Sequence, residues 1–451
     1  MMNNKGNNIW ICAVFCLSLF LLSGCDSFLD IVPTGQVIPE TVGEFRQLLT
    51  SAYMNYPEDR GLASFRTDEF TMENASSDDK NAYYDIWRWN DMNADETTVS
   101  FNWRHYYNRI FIANHIIENE SSMSGESTCE KDQLVGEAYM LRAYSHFLLL
   151  NLYARPYDPE TASSVRGIPL KLDNKMDVVL TNNSIEAVYE QIVSDVKEAL
   201  KRLNVERWEN GFNYRFSTRS AHALLSRIAL YHQDWTLSLA EAETVLNQQS
   251  DLCDLVISKE LPNSFTSVEN LLALEQVLTS SYSNALQPDN QFIARYQVGD
   301  MRKSRYFKAV TLTRYALQKG GSADFHCSVR TAELYLNAAE SAARQNDTLT
   351  AKKYLYPLLE KRYNASGLNK RKVALYGLEG DALVNAILEE RALELYGEGH
   401  RWFDLRRTSR PSLSRPDGAS LSADDSRYTL PIPQEAVAAN PGLTDGSDGL
   451  Q

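Results

Sequence analysis

Residues 219–246 read RSAHALLSRIALYHQDWTLSLAEAETVL, and residues 330–359 read RTAELYLNAAESAARQNDTLTAKKYLYPLL. In the first stretch Leu225, Ser226, Ala229, Ser238, Ala242 and Val245 are small or apolar. A shift of 113 residues puts Ala338, Ala339, Ala342, Ala351, Leu355 and Leu358 in the same places without a gap. That spacing is the pattern of the tetratricopeptide unit of about 34 residues, in which small residues let the two helices of a hairpin approach. Trp235 falls in the turn of the first copy. The expected fold is therefore all-α, a scaffold of tetratricopeptide-like helical hairpins.

Working outward, residues 97–119 carry Trp103, Tyr107, Ile110, Phe111, Asn114 and Ile117 at helical spacing. Residues 132–153 form a long apolar helix with Ala138, Leu141, Tyr144 and Leu148 on one stripe. Residues 184–203 open on a Ser N-cap and end with Lys201 and Arg202, as the helix dipole prefers. Pairing 132–153 with 184–203, and 381–396 with a partner in 398–407, gives two further hairpins. Repeats are thus expected near 132–203, 217–247, 330–360 and 381–407, with minor β content. Copies held apart by long insertions are no plain solenoid, and the insertions are expected to carry function.

The chain has 451 residues, with 45 Lys+Arg against 59 Asp+Glu and a net charge of −14. A phosphate backbone needs clustered Lys and Arg, so this balance argues against a nucleic-acid partner. Hydrophobic content of 43% with 23% charged residues belongs to an ordinary folded protein. Aromatic residues are plentiful: 24 Tyr, 16 Phe and 7 Trp.

Ile9 to Leu22 form an apolar run preceded by Lys5. A spanning helix needs about 20 apolar residues, so the run reads as a signal-peptide core. Leu22-Ser23-Gly24-Cys25 follows, and resembles the lipobox of bacterial lipoproteins. The resemblance implies removal of residues 1–24 and acylation of Cys25, leaving 25–451 as a single domain tethered to a membrane. Several acyl chains hold a protein firmly to a bilayer, where one is marginal. Of the six Cys, Cys129, Cys253 and Cys327 remain, with no spacing for a disulfide framework or a zinc site.

At the C-terminus, residues 389–407 read EERALELYGEGHRWFDLRR and residues 430–443 read LPIPQEAVAANPGL. With the lipobox, FLDIVPTG at 28–35, LRAYSHFLLLNLYARPY at 141–157 and the Asp300/Arg302 pair of GDMR, the chain resembles the SusD/RagB lipoproteins of Bacteroidetes. One departure is Ala154-Arg155-Pro156, where the family more often has Gly before Pro. The resemblance implies a SusD-like α/α superhelix with long loop insertions, displayed at the outer-membrane surface. It implies a SusC-type TonB-dependent β-barrel as partner, and an oligosaccharide, or in some branches a peptide, as ligand.

Glu398, His400 and Asp404 could be written as metal ligands, and Glu389 with Glu390 as a glycosidase acid pair. Their spacing lacks metal-site order, and structural ion pairs with Arg391, Arg401, Arg406 and Arg407 are expected instead. No phosphate loop, nucleophile elbow or other catalytic constellation appears, so no enzyme activity, cofactor or metal is expected.

The aromatic loops offer more. NAYYDIWRWN at 81–90 follows the turn-rich SSDDK of 76–80; if extended, it projects Trp87 and Trp89 to one side. Sugar rings expose apolar C–H faces that stack on indole and phenol rings, while Asn, Asp and Arg bond the hydroxyls. Tyr83, Tyr84, Trp87, Trp89 and Asn90 supply that mixture, and Tyr282, Asn284, Asn290, Arg295 and Tyr296 in SYSNALQPDNQFIARYQ supply a second. Trp208, Phe212 and Tyr214 read as packing between helices, and Trp103, Trp235 and Trp402 as core. Three functions compete: a binding lipoprotein of a glycan or peptide importer, a surface glycan hydrolase, and a tetratricopeptide scaffold for envelope proteins. The first unites the most observations.

Overall fold

The turn that closes each repeat is built the same way twice. In the structure, a computed structural model that describes residues 39–443 apart from 126, 176 and 177, Gln233 and Asn346 both adopt a left-handed backbone, at φ 59° and 61°. The next residues, Asp234 and Asp347, each donate their N–H at 2.9 Å to the carbonyl five residues back, of Ala229 and Ala342. Their carboxylates then cap the following helix by accepting from Leu237 N–H and Thr350 N–H, both at 3.0 Å. All of these positions differ by the same 113-residue shift.

Numbering helices of six residues or more, the N-terminal part holds α1 (Val42–Met54), α2 (Asp59–Ser64), α3 (Ser77–Trp87), α4 (Trp103–Glu118) and α5 (Thr128–Tyr153). Next come α6 (Ile185–Leu200), α7 (Thr218–Tyr231), α8 (Trp235–Leu246) and the short α9 (Ser280–Ala285). The C-terminal part holds α10 (Thr331–Arg344), α11 (Thr348–Glu360), α12 (Ala365–Leu375), α13 (Gly380–Glu394), α14 (Arg401–Arg407) and α15 (Gln434–Ala439).

Residues α7 with α8, and α10 with α11, pack as pairs, and α8 also lies against α10. The six small or apolar positions of the first copy are at most 1% exposed and those of the second are all fully buried. Ser226 and Ser238 donate their hydroxyls reciprocally to each other's carbonyl oxygen at 2.9 Å, which holds α7 close to α8 without leaving a polar group unpaired. Helix α5 opens on a capping box of Ser127 and Glu130 and is buried on nearly every face from Gln133 onward, so it forms the centre between α4 and α6. Trp103 and Trp402 are core, whereas Trp235 is half-buried with Arg344 over its ring.

The fourth pair differs from expectation. Helix α13 lies along α10, but α14 packs on α2. Gly397 and Gly399, both at φ 69°, turn the chain sharply after α13 and send α14 elsewhere. The β content is minor: β1 (Phe70–Thr71), β2 (Asn270–Leu272), β3 (Gln287–Pro288), β4 (Phe307–Ala309), β5 (Tyr315–Leu317), β6 (Val329–Arg330), β7 (Leu413–Ser414) and β8 (Ser420–Leu421). They pair antiparallel as β1–β3, β2–β6, β4–β5 and β7–β8.

The described residues from Thr41 to Leu443 form one compact unit with two apolar clusters. The larger fills the helical scaffold. The smaller gathers Phe65, Phe70, Tyr83, Trp87, Phe292, Tyr296, Phe307 and Tyr396 beneath the loop insertions. The signal-peptide reading of 1–24, Cys25 and the FLDIVPTG segment lie outside the described residues. No helix among the described residues is long and apolar enough to cross a membrane.

Candidate functional site

The acidic residues of the 389–407 run are ion-paired, as expected, though mostly with arginines from elsewhere in the chain. Glu390 accepts from Arg302 at 2.7 Å and Arg371 at 2.6 Å. Glu394 accepts from Arg330 at 2.8 Å, Arg362 at 2.9 Å and Arg302 at 3.4 Å. Glu398 pairs with Arg330 and Lys319, and Glu389 with Arg295. Asp404 alone uses the neighbours named from sequence, Arg391 and Arg407. Arg401 turns to Asp68, and Arg406 donates to the backbone carbonyls of Asn151, Ala154 and Tyr428. Burial pushes the Glu394 carboxyl up, but the guanidiniums of Arg362 and Arg330 overcome it and hold the pKa well below the usual range. His400 is buried beside Arg60, and both effects hold its pKa well below normal. Among the described residues no group of three or more His, Cys, Asp or Glu is placed to hold a metal.

The extended Trp87–Trp89 platform is corrected by the structure. Ser76 caps Asp79 N–H, Asp78 and Asp79 sit in the first turn, and residues 77–87 are helix α3. Asn90 N–H donates to Asp85 carbonyl at 2.8 Å and Trp89 N–H to Ile86 carbonyl at 3.2 Å, with Trp89 at φ 56°. That is a Schellman ending with Trp where Gly is usual. It turns Trp89 inward. Trp87 is 1% exposed and Trp89 fully buried, their indole N–H groups donating to Phe70 and Arg66 carbonyls. Neither indole can reach a sugar; both hold the fold.

The two aromatic stretches nevertheless meet. Tyr83 and Tyr282 pack edge to face with ring centres 5.6 Å apart, and both contact Phe65. Tyr83 is buried, while Tyr282 is half-buried on α9 and Asn284 on the same helix is exposed. Tyr84 is half-buried, stacked on Trp87 at 5.3 Å. Its hydroxyl donates to Asp417 at 2.9 Å, and Arg88 forms an ion pair with the same carboxylate at 2.9 Å. Arg88 and Lys80 also lie over the Tyr84 ring. Asn90 donates to Asp85 at 2.7 Å. Arg295 is held by Glu389 and Asp68, and Tyr296 is buried with its hydroxyl donating to Leu393 carbonyl. Asn290 donates to Thr313 carbonyl at 2.8 Å, tying this segment to the β4–β5 hairpin.

Beside that hairpin, Tyr296, Gln297, Asp300, Lys303, Phe307 and Tyr315 line a groove of about 390 Å³, within the range of roughly 300–1,000 Å³ for small-ligand sites. A second groove of about 290 Å³ lies at Arg46, Gln133, Asn204, Trp208 and Arg215. There Arg215 covers the Trp208 ring at 3.8 Å and pairs with buried Glu137; Tyr214 packs against the larger apolar cluster, whereas Phe212 is 48% exposed.

Sequence reading missed Lys80, Arg88, Asp417, Gln297, Lys303 and Tyr315. Arg88 lies between the two Trp residues and was open to discovery. Asp417 sits 333 residues from Tyr84 and gives no local signal.

Comparison with known proteins gives consistent matches. A family model described as "Starch-binding associating with outer membrane" matches residues 27–230, and the model "SusD family" matches residues 275–447. SusD-like protein P38 of Formosa agariphila is 26% identical over a match covering 51% of this chain and 44% of that protein, so the chain spans less than half of that relative. SusD-like protein P2 of the same organism is 23% identical, covering 79% of this chain and 82% of its own length. Among solved structures, a SusD superfamily protein from Bacteroides thetaiotaomicron superposes with a TM-score of 0.76 at 20% identity, over 90% of this chain and 99% of that one. Surface glycan-binding protein A from Bacteroides thetaiotaomicron, in complex with laminarihexaose, gives 0.65 at 17% identity, over 89% and 98%. At these identities the structural likeness establishes the fold.

Proposed function

The chain belongs to the SusD family, and from that premise we propose that it is a cell-surface lipoprotein that binds oligosaccharide and delivers it to a SusC-type TonB-dependent transporter. The observation that supports the reading is the contact of Tyr83 with Tyr282, which brings together two aromatic stretches some 200 residues apart in sequence. Half-buried Tyr84 and Tyr282 keep part of their rings open to solvent, exposed Asn284 stands on the helix of Tyr282, and Arg88 and Asp417 lie against Tyr84. The groove at Gln297, Lys303 and Tyr315 extends the same insertion. A protein of this fold holds laminarihexaose, and a β-glucan of that kind is the first ligand to try.

Binding is favoured over hydrolysis by the state of the carboxylates. Glu389 and Glu390, the adjacent pair that a hydrolase would use, are both bound by arginine, so neither stands free as acid or base. Cys25 supplies the membrane anchor in this reading, and the family description already names association with the outer membrane. The test is titration calorimetry of the purified protein with laminari- and malto-oligosaccharides and with peptides, together with analysis of the sugars afterwards. Saturable binding of an intact oligosaccharide is expected. Shortened sugars would move the protein to the hydrolases, and a response to peptides alone would make it a peptide importer's subunit. Labelling of Cys25 by lipid, and its loss in Cys25→Ala, tests the anchor.

A further inference from the structure

Residues 348–378 run against the charge of the chain. The whole sequence is acidic at −14, yet this stretch holds Lys352, Lys353, Lys361, Arg362, Lys370, Arg371 and Lys372 with Glu360 as its lone carboxylate. Arg362 and Arg371 point inward to Glu269, Glu394 and Glu390. Lys361 pairs with Asp254 at 2.9 Å, and Lys372 with Glu360 at 2.7 Å. Among the described residues, no carboxylate lies within ion-pair reach of Lys352, Lys353 or Lys370. Lys352 donates to Tyr376 carbonyl at 2.7 Å and Lys353 to the Tyr354 hydroxyl at 3.1 Å.

Between these cations the surface is apolar. Leu349 is 84% exposed, Val373 69% and Tyr376 84%. Leu349, Lys352, Lys353 and Tyr356 follow at three- and four-residue steps and share one face of α11. Val373 lies in the last turn of α12 and Tyr376 just after it. The Lys352–Tyr376 bond joins the two helices into one patch, and Lys372 lies over the Tyr356 ring at 5.3 Å.

We propose that this patch rests on an anionic lipid surface, with the lysines at the headgroups and Leu349, Val373 and Tyr376 in the acyl boundary. Lysine is a point charge on a flexible stem, which suits a diffuse layer of phosphates better than one fixed anion. Exposed aliphatic side chains gain nothing from a hydrated polysaccharide but partition into lipid, and tyrosine favours the interface. The acidic remainder of the molecule is repelled by such a surface, so the patch also sets orientation. The inference takes its setting from the surface-lipoprotein reading, but it is tested without the acyl anchor.

The test uses the mature chain from residue 25 with Cys25→Ser, which carries neither the apolar Ile9–Leu22 run nor a thiol to acylate, and sedimentation with vesicles of phosphatidylcholine alone or mixed with phosphatidylglycerol. Binding to the mixed vesicles only, weakening as salt rises, is expected. Lys352→Ala with Lys353→Ala and Lys370→Ala should weaken it at least tenfold, and so should Val373→Ser with Tyr376→Ser. Oligosaccharide affinity should stay unchanged in both and Tm should fall by no more than a few degrees, since Lys353, Lys370, Val373 and Tyr376 are solvent-facing and half-buried Lys352 adds one bond between the helices. Tyr376→Trp should show a blue-shifted emission on the mixed vesicles. No binding to anionic vesicles, or equal binding by the lysine variant, overturns the proposal. Loss of a co-purifying barrel with vesicle binding unaltered also overturns it, in favour of a protein partner. Absence of lipid on wild-type Cys25 would refute the anchor reading alone and leave the vesicle result standing.

Discussion

The guanidinium of Arg415 lies over the indole of Trp89, 4.2 Å from the ring centre. The same group is 4.7 Å from the Trp87 ring, and it donates at 2.9 Å to the carbonyls of Trp87, Thr67 and Phe65. A residue more than 300 positions downstream thus seals the end of α3, with a cation–π contact and backbone bonds in one buried place. Trp89 keeps its left-handed backbone because this closure over-determines it.

Trp89→Ala should therefore act on stability. Truncating a fully buried Trp costs roughly 3–5 kcal/mol, and Trp87→Ala should cost a similar amount. Denaturant unfolding would show both as large drops in midpoint. If either variant unfolds with the wild-type midpoint, its burial has been misassigned.

Tyr84→Ala and Tyr282→Ala test the ligand surface. An aromatic anchor contributes on the order of 1–2 kcal/mol, close to a tenfold change in affinity. Calorimetry on the best-binding oligosaccharide should show that loss for each, with Tyr84→Ala leaving Tm within a few degrees. Tyr282→Ala should also lower Tm modestly, since its ring edge packs on Tyr83. Unchanged affinity in both variants would transfer the site to the Gln297–Tyr315 groove.

Glu69 makes stability depend on pH. It is buried, accepts Gly397 N–H at 3.0 Å, and burial pushes its pKa from 4.5 to about 8. The folded chain then holds a proton that the unfolded chain releases, so the contribution is complete below pH 4.5 and fades as pH rises through about 8. Glu69→Gln should flatten the decline across that window in thermal melts. Glu390, Glu394, Glu398 and Asp404 act oppositely, since their pKa values are held low and their contribution is lost in acid. A variant profile parallel to the wild type between those limits would count against the assignment.

Glu394→Ala should be among the most damaging single changes. It strips a shared acceptor from Arg302, Arg330 and Arg362, all buried. Breaking a buried pair by removing one partner costs about 3–5 kcal/mol. Glu360→Ala, which removes an exposed partner of Lys372, should cost under about 1 kcal/mol. Comparable Tm losses for the two would refute the distinction.

The helical hairpins were legible because small residues at fixed intervals record how closely two helices approach, and Ser226 and Ala339 need no distant information to say so. The charges of 389–407 were legible as ion pairs from residue type, but their partners were not. Arg302, Arg330 and Arg362 reach Glu394 from 92, 64 and 32 residues away. The Trp87–Trp89 stretch misled because SSDDK looks like a turn. Ser followed by acidic residues is equally a helix start, and here the N-cap at Ser76 sets the phase that carries both indoles inward. Asp417 and Arg415, which complete that region, come from a loop whose local sequence says nothing about where it lands.

Helix α8 packs directly on α10 although the chain between them runs from 247 to 330. The excursion leaves and returns at nearly one point, so lengthening it costs little closure entropy, growing only as the logarithm of its length. The scaffold therefore tolerates exchange of this segment as a cartridge provided its interior charges are kept: Arg330, which pairs with Glu394 and Glu398, Glu269, which pairs with Arg362, and Arg302. Arg302 comes from within it and neutralises Glu390 and Glu394 in the interior. A replacement can bring new rings and new hydroxyl partners to the surface, but it must return guanidiniums to the places of Arg302 and Arg330 or leave Glu390, Glu394 and Glu398 each with fewer counter-charges.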